Sequence, residues 1–290
     1  MNAGRSVRRV TIWSLVVNLV LSGVKLVLGL LGGSQALVAD AVHSLSDAVT
    51  DVTVLVGERF WSAPPDDAHP YGHGRIETVI AFFIGIVLAG VGIGLGYRAI
   101  ATLHEAHARS PGWLAFAGAC ASIVVKEWLY RWNVAVGRRI RSVVLLANAW
   151  HHRSDALSSV PVAIAVLATR IWPGWWFLDH IATVIVAVLI LAAAWQICWP
   201  AFSRLIDVGA AGHERQKILS LAESTEGVRS VHGLRTRYMG TGLFVDLHVL
   251  VDPELSVRRG HDIARAVKAR LLTSGPDIVD VLVHIEPSDN

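Results

Sequence analysis

Six apolar segments, each long enough to cross a lipid bilayer, restrict the folds that this chain can adopt. By hydropathy they cover about residues 10–31, 34–61, 76–100, 113–135, 143–171 and 177–199. A transmembrane helix needs about 20 mainly apolar residues, and the first segment is too long for a signal peptide and is followed by no small-residue cleavage site. Hydrophobic residues make up 53% of the 290 residues and charged residues 17%, far from the composition of a soluble protein. The sequence therefore predicts an α-helical membrane protein with six transmembrane helices.

Basic residues beside the ends of these segments predict the orientation of the chain. Arg5, Arg8 and Arg9 precede the first segment, Arg138 and Arg139 lie between the fourth and the fifth, and the loops on the opposite side carry fewer. Cytoplasmic loops are rich in Lys and Arg, so we expect both termini in the cytoplasm of an integral protein in contact with the lipid of a bacterial inner membrane. The net charge of +3 belongs mainly to these segment ends and does not indicate nucleic-acid binding.

The composition changes to that of a soluble domain after about residue 207. Helical and strand-like periodicity alternate along it, over residues 213–225, 228–238, 243–252, 256–273 and 278–286. In the last of these segments, alternate residues from Val279 to Ile285 are expected to point inward. The predicted domains are therefore a membrane domain over 1–207 and a small cytosolic α+β domain over 208–290, with the metallochaperone-like order α-β-β-α-β.

Two histidine–aspartate pairs lie inside predicted spans. His43 and Asp47 belong to the second span and His151 and Asp155 to the fifth, each pair four residues apart, so each pair shares one face of a helix. An ionised carboxylate in hydrocarbon is costly unless it faces a partner, a cavity or an ion. Two imidazoles and two carboxylates suit a tetrahedral divalent ion, above all Zn²⁺. The alternative interpretation is that these polar residues only form hydrogen bonds between helices.

A second candidate metal site lies in the loop between the second and third spans. Asp66, His69 and His73 fall at metal-ligand spacings, and Gly72 and Gly74 allow the backbone to wrap around an ion. The alternative interpretation is an ordinary solvated polar loop.

Histidines in the soluble domain form a third candidate set. His284 and Glu286 are two residues apart on a predicted strand, so they share a face and could chelate one ion. The other candidate ligands of this domain are His232, His248 and His261. Histidines on the surface of a soluble domain are also common without any ligand, and spacing alone leaves both interpretations open.

Other functional classes explain fewer of these residues. No nucleophile motif, phosphate loop or dinucleotide fingerprint stands out in the sequence, so we do not expect an enzyme; a membrane metalloenzyme would also need a general base beside an open metal position. A haem-binding electron carrier could use His43 and His151 as axial ligands but leaves both aspartates unexplained. A membrane-anchored zinc sensor or scaffold without transport is the main alternative to a transporter.

Motifs along nearly the whole chain resemble those of the cation diffusion facilitator family. In the first two spans they comprise Asn18, Lys25, Gly29, Ser34, Ala36-Leu37, Ala39-Asp40 and His43-xxx-Asp47. The loop over 66–77 resembles the family's Gly-His-Gly signature, and His151-xxx-Asp155 resembles its ligand pair in the fifth span. Residues 231–237 and 283–287 resemble the metal-binding strands of its cytosolic domain.

This resemblance implies a homodimeric exporter of divalent metal that is coupled to protons. It implies a transport site between spans two and five, a loop site at Asp66, His69 and His73, and metal binding at the dimer interface of the cytosolic domain. Arg75 and Asp207 match the positions of an inter-subunit charge contact at the cytoplasmic membrane face.

Two residues depart from the pattern of some bacterial members. His43 and Glu286 each stand where those members carry Asp. Because two imidazoles favour Zn²⁺ over Mn²⁺, which prefers oxygen ligands, we expect Zn²⁺ as substrate and as a structural or regulatory ion. Cd²⁺, Fe²⁺ and Co²⁺ are alternatives that the ligand types do not exclude.

Overall fold

A computed structural model of the chain describes residues 3–103, 111–140, 142–240 and 242–288. In these ranges, six long helices precede a small α+β domain, which confirms the predicted fold class. The helices are α1 (Ala3–Gly32), α2 (Gln35–Trp61), α3 (Arg75–Ala101), α4 (Trp113–Ile140), α5 (Val143–Ile171) and α6 (Phe177–Leu205). Each coincides with a predicted span, although α4 and α6 continue past the predicted ends.

Four of these helices, within the described ranges, are long and apolar enough to cross a membrane by length and composition. They contribute the stretches Arg9–Gly32, Arg75–Ala101, Asn148–Ile171 and Phe177–Leu205. Ionisable residues such as Asp47 in α2 and Lys126 in α4 interrupt the apolar stretches of the other two helices. Charged side chains in membrane helices face partners, cavities or ions. We therefore expect α2 and α4 to carry residues of a functional site.

Close backbone contact holds α1 against the beginning of α4, which also packs along α5. The backbone N–H of Gly112 donates a 2.8 Å hydrogen bond to the carbonyl of Gly32. A Cβ at Gly32 would lie 2.8 Å from the backbone nitrogen of Ala115. Only glycine permits this approach.

A carboxylate from α6 fixes the beginning of α2. The Ser34 hydroxyl donates to Asp179 at 2.6 Å, and the backbone N–H of Gln35 donates to the same carboxylate at 2.8 Å. Negative charge at a helix N-terminus is stabilising because the unpaired N–H groups and the helix dipole point toward it. This contact sets the position of α2 and, through it, of His43 and Asp47.

The soluble domain has the predicted order α-β-β-α-β. Its elements are α7 (Gly212–Glu223), β1 (Ser230–Met239), β2 (Gly242–Val251), α8 (Val257–Ser274) and β3 (Ile278–Pro287). The strand order in the sheet is β1-β2-β3, with β1 antiparallel and β3 parallel to β2. Parallel neighbours require a crossover connection, and α8 supplies it.

One face of the sheet packs on the helices, and the other, which we call the open face, carries the half-buried alternate residues of β2. Alternate residues of β2 from Leu243 to Val251 are buried, as are Ile263 and Val267 of α8. Val279 was expected inward, but the structure corrects this prediction: its side chain is 57% exposed. The pairing of β2 with β3 shifts by one residue at this point, so Val279 has no partner in the ladder and the alternation restarts after it.

By its internal contacts the chain divides into two compact units. One comprises Met1–Leu55 and Ile84–Gln196, and the other comprises Val56–Phe83 and Ile197–Asn290. The division into 1–207 and 208–290 stays a prediction.

Candidate functional site

Helices α2 and α5 bring three of the four predicted intramembrane ligands together. One ligand atom each of His43, Asp47 and Asp155 lies within 4.8 Å of the other two. His43 and Asp47 are half-buried and Asp155 is buried. One imidazole and two carboxylates at this separation form a donor set of the kind that holds a divalent ion.

Two atoms of this cluster lack the hydrogen bonds that buried polar atoms normally make. Nδ1 of His43 and Oδ2 of Asp47 are buried and have no hydrogen-bond partner among the described residues. An unpaired buried polar atom is unfavourable. A divalent ion could bind both atoms, because each has a lone pair that no other described group uses. The two atoms are therefore suited to bind a cation.

His151, the fourth predicted ligand, lies beside the cluster. Its Nε2 is 3.7 Å from Oδ2 of Asp155, and its side chain is 47% exposed. Two ligand atoms on a tetrahedral zinc ion are roughly 3.3 Å apart, given metal–ligand distances of about 2.0–2.1 Å. A shift of a few tenths of an ångström would therefore let His151 and Asp155 share one ion.

A lysine that sequence reasoning did not assign to the site contacts it directly. Nζ of Lys126, on α4, donates a 2.5 Å hydrogen bond to Oδ2 of Asp155, and the lysine side chain is fully buried. An ionisable residue inside an apolar span was the signal that could have pointed to it. Its partner could not be read from the sequence, because the two residues belong to different helices.

A second buried lysine forms an ion pair next to the cluster. Nζ of Lys25 donates to the carboxylate of Asp40 at 2.9 Å, to the backbone carbonyl of Asp40 at 3.1 Å and to the Ser44 hydroxyl at 2.7 Å. The Ser159 hydroxyl donates to Asp40 at 2.9 Å and lies 3.2 Å from the carbonyl of Asp155. Ser159 thus connects this ion pair to the helix that carries Asp155.

The loop before α3 brings together all three of its predicted ligands. Single ligand atoms of Asp66, His69 and His73 lie within 4.8 Å of one another. The Asp66 carboxylate accepts a 2.6 Å hydrogen bond from the backbone N–H of His69, which holds the pKa of Asp66 below its ordinary value. Gly72 has a φ of 79°, which favours glycine and allows the loop to turn between the two histidines.

Arg75 and Asp207 form an ion pair within one chain. The resemblance implied a contact between subunits at these positions; in the structure Nη2 of Arg75 lies 2.7 Å from Oδ1 of Asp207 of the same chain. Arg75 is the first residue of α3, and Asp207 lies two residues after the end of α6. Both side chains are about half exposed.

The open face of the sheet carries a row of three histidines, one from each strand. His232 pairs with His248 across β1 and β2, and His248 pairs with His284 across β2 and β3. Glu286 is joined to His232 Nε2 at 2.8 Å and to His248 Nδ1 at 2.6 Å. The hydrogen bond with His232 chiefly holds the pKa of Glu286 below its ordinary value. Ligand atoms of His232, His248 and Glu286 lie within 4.8 Å of one another, which is a third candidate metal site.

The remaining two predicted ligands of this domain are placed differently. His284 Nε2 lies 3.6 Å from Glu286 Oε1, at the edge of the cluster. His261 is exposed on α8 and belongs to none of the three ligand clusters in the described part of the chain. Gly233 was not singled out by the sequence, yet a Cβ there would lie 3.1 Å from the ring of His248, and its φ is 63°.

Comparison with known proteins covers both parts of the chain. Residues 11–206 match the family model described as the cation efflux transmembrane domain, and residues 210–288 match that of the cation efflux protein cytoplasmic domain. An uncharacterized transporter of Methanocaldococcus jannaschii is 35% identical, over 98% of this chain and all of its own length.

Two further relatives have names that refer to metals. Metal tolerance protein C1 of Arabidopsis thaliana is 34% identical over 92% of this chain and 60% of its own length. The manganese efflux system protein MneP of Bacillus subtilis is 30% identical over 97% of this chain and 96% of its own.

Proposed function

Because the chain belongs to the cation diffusion facilitator family of metal efflux transporters, we propose that it exports Zn²⁺ from the cytoplasm in exchange for protons. The observation that carries this proposal is the cluster of His43, Asp47 and Asp155. Its ligand atoms lie within 4.8 Å of one another between two membrane helices, and two of its buried atoms have no hydrogen-bond partner among the described residues. With His151 beside it, this cluster is the proposed transport site.

The donor set supports zinc as the substrate. Two imidazoles and two carboxylates suit a tetrahedral ion of intermediate softness, whereas manganese prefers a shell rich in oxygen. With both imidazoles neutral, the four groups carry two negative charges, which one divalent ion cancels.

Proton exchange follows from the chemistry of the ligands. Imidazole and carboxylate bind a metal only in their deprotonated forms, so protons and metal compete for the same site. We propose that the site loads from the cytoplasm and that protonation of His43 or His151 promotes release on the other side. The metal-free, protonated protein then returns, which completes the antiport cycle.

The two extramembrane clusters are proposed to bind the same metal in a supporting role. Asp66, His69 and His73 form a loop site, and the histidine row with Glu286 forms a site on the open face of the sheet. The family model of the second domain supports a homodimer, in which this open face and His261 meet a second copy. We propose an inner-membrane location with both termini in the cytoplasm.

Flux measurements in proteoliposomes test this function. Purified protein is reconstituted, and uptake of Zn²⁺, Cd²⁺, Fe²⁺ and Mn²⁺ is compared side by side, with and without an acidic lumen. We expect zinc uptake that an acidic lumen accelerates, and no uptake with Asp47→Ala. Zinc uptake that ignores the pH gradient would contradict the proton coupling, and uptake retained by Asp47→Ala would remove that residue from the site.

Manganese export is the second candidate function. It is favoured by the similarity to a manganese efflux system protein along nearly the whole chain. The same panel separates the two metals by their relative rates. A protein that binds zinc in detergent but moves none of the four metals would instead be a zinc sensor or scaffold.

A further inference from the structure

Lys126 places a basic side chain of the protein in direct contact with a proposed metal ligand. Its side chain is 0% exposed, and its Nζ lies 2.5 Å from Oδ2 of Asp155. The same oxygen is the atom of Asp155 nearest to His151 Nε2, at 3.7 Å. A metal ion that is shared by His151 and Asp155 through this oxygen therefore binds an atom that already accepts the hydrogen bond of the ammonium group, so the two cations compete for it.

The hydrogen bonds of the two buried lysines differ in a way that indicates which can move. Lys25 is held by three acceptors, from Asp40 and Ser44. Among the described residues, Asp155 is the one acceptor of the Lys126 ammonium group. An ammonium group can donate three hydrogen bonds. Lys25 makes all three, whereas Lys126 makes one within the described part of the chain, so the ammonium group of Lys126 is the easier one to displace.

We propose that Lys126 is a tethered counter-ion of the empty transport site, which the incoming divalent ion displaces from Asp155. This inference rests on the proposed function of the cluster as the transport site. In the metal-free protein, Lys126 neutralises one of the two carboxylates and keeps Asp155 from being buried as an unpaired charge, which is strongly unfavourable. When the metal binds, it takes over this neutralisation.

The charge balance predicts what Lys126 does to the bound state. The two carboxylates and Lys126 together carry one negative charge, so a divalent ion brings the sum to one positive charge. Repulsion between like charges is strong in a medium of low polarity, and the ammonium group therefore weakens metal binding and favours release. Lys126 is a positioning residue: it tunes the affinity of the site through Asp155 without binding the metal.

Zinc affinity of the full-length protein in detergent tests this inference. The parent carries Asp66→Ala, His232→Ala and His248→Ala, which removes the extramembrane clusters. Lys126→Gln keeps a hydrogen-bond donor of similar length without the charge, and we expect it to bind zinc at least about tenfold more tightly in calorimetric titration, about 1.4 kcal/mol. Lys126→Arg keeps the charge and should bind no more tightly than the parent.

A structural role alone would give the opposite sign, because damage to a site weakens binding. Lys25→Gln, which removes the other buried ammonium, is the matched control: Lys25 donates to Asp40 and Ser44 and not to a proposed ligand, so its replacement should change the affinity by less than Lys126→Gln does. In flux measurements, Lys126→Gln should lower both KM and kcat, because tighter binding slows release. An affinity of Lys126→Gln equal to or weaker than that of the parent overturns the inference.

Two further measurements keep the result interpretable. Asp155→Asn in the same parent tests the proposed function separately. If this variant binds zinc like the parent, Asp155 is not part of the transport site. If it loses zinc binding, the proposed site is supported, whatever the affinity of Lys126→Gln.

If Lys126→Gln is unstable without metal, its melting temperature is measured with and without zinc. The inference expects a larger zinc-induced rise than in the parent, and an equal or smaller rise refutes it.

Discussion

Replacement of Asp47 by asparagine separates the metal-binding role of this residue from any structural role. The amide has nearly the same shape as the carboxylate, so packing between α2 and α5 is preserved. Oδ2 of Asp47 has no hydrogen-bond partner among the described residues, and a half-buried negative charge is removed. We therefore expect the metal-free Asp47→Asn protein to melt at or above the temperature of the unmodified protein.

The expected loss of zinc affinity follows from the place of Asp47 in the cluster. Removing an outer partner of a metal ligand typically costs about 10–100-fold in affinity. Asp47 is proposed as a direct ligand and carries one of the two negative charges of the site, so its loss should cost at least about 100-fold, or about 2.8 kcal/mol. Calorimetric titration with zinc, in a parent without the extramembrane clusters, measures this value.

Asp51→Asn is the matched control for this prediction. Asp51 lies one turn further along α2, is exposed and lies outside the ligand cluster, so its replacement should leave the affinity close to that of the parent. A change in affinity of less than about tenfold for Asp47→Asn would show that Asp47 is not a ligand. A lower melting temperature of the metal-free variant would show that Asp47 has a structural partner.

Three predictions concern the α+β domain. Leu247→Ala removes a fully buried side chain of β2 and should destabilise the domain by about 2–5 kcal/mol in chemical unfolding. Gly233→Ala should weaken zinc binding by the sheet cluster in a variant without the other sites, because the new Cβ would lie 3.1 Å from the ring of His248; unchanged affinity would show that the ring has room. Lys268 donates a hydrogen bond that lowers the pKa of Asp280, so this pair contributes stability above the ordinary aspartate pKa of about 3.9 and loses it as the pH falls through the lowered value. The pair is half exposed and contributes at most about 1 kcal/mol to the free energy of unfolding. The protection of β3 amides from hydrogen exchange should therefore fall less between pH 7 and pH 3 in Asp280→Asn than in the unmodified protein.

The sequence predicted the features of the molecule that have a local cause. Long apolar runs must form helices in a membrane because no water satisfies the backbone there, and the six segments indeed coincide with six helices. Four-residue spacing placed His43 and Asp47 on one helical face, and strict alternation placed the residues of β2 on two faces of a sheet. Each of these signals lies within one element.

Features that depend on distant parts of the chain could not be predicted in this way. The contact of Lys126 with Asp155 joins two helices, and the cap of α2 comes from Asp179, far along the sequence. Neither has a spacing signature. The exposed position of Val279 depends on a register shift between β2 and β3, which the alternation within β3 alone does not reveal.

One divalent ion is proposed to bind between α2 and α5, and anomalous X-ray diffraction from zinc-loaded protein can locate it. We expect an anomalous peak among His43, Asp47, His151 and Asp155, about 2.0–2.2 Å from each ligand atom, with the Lys126 ammonium displaced from Asp155. Zinc peaks at the loop and sheet clusters alone, with the ammonium still in contact with Asp155, would contradict it.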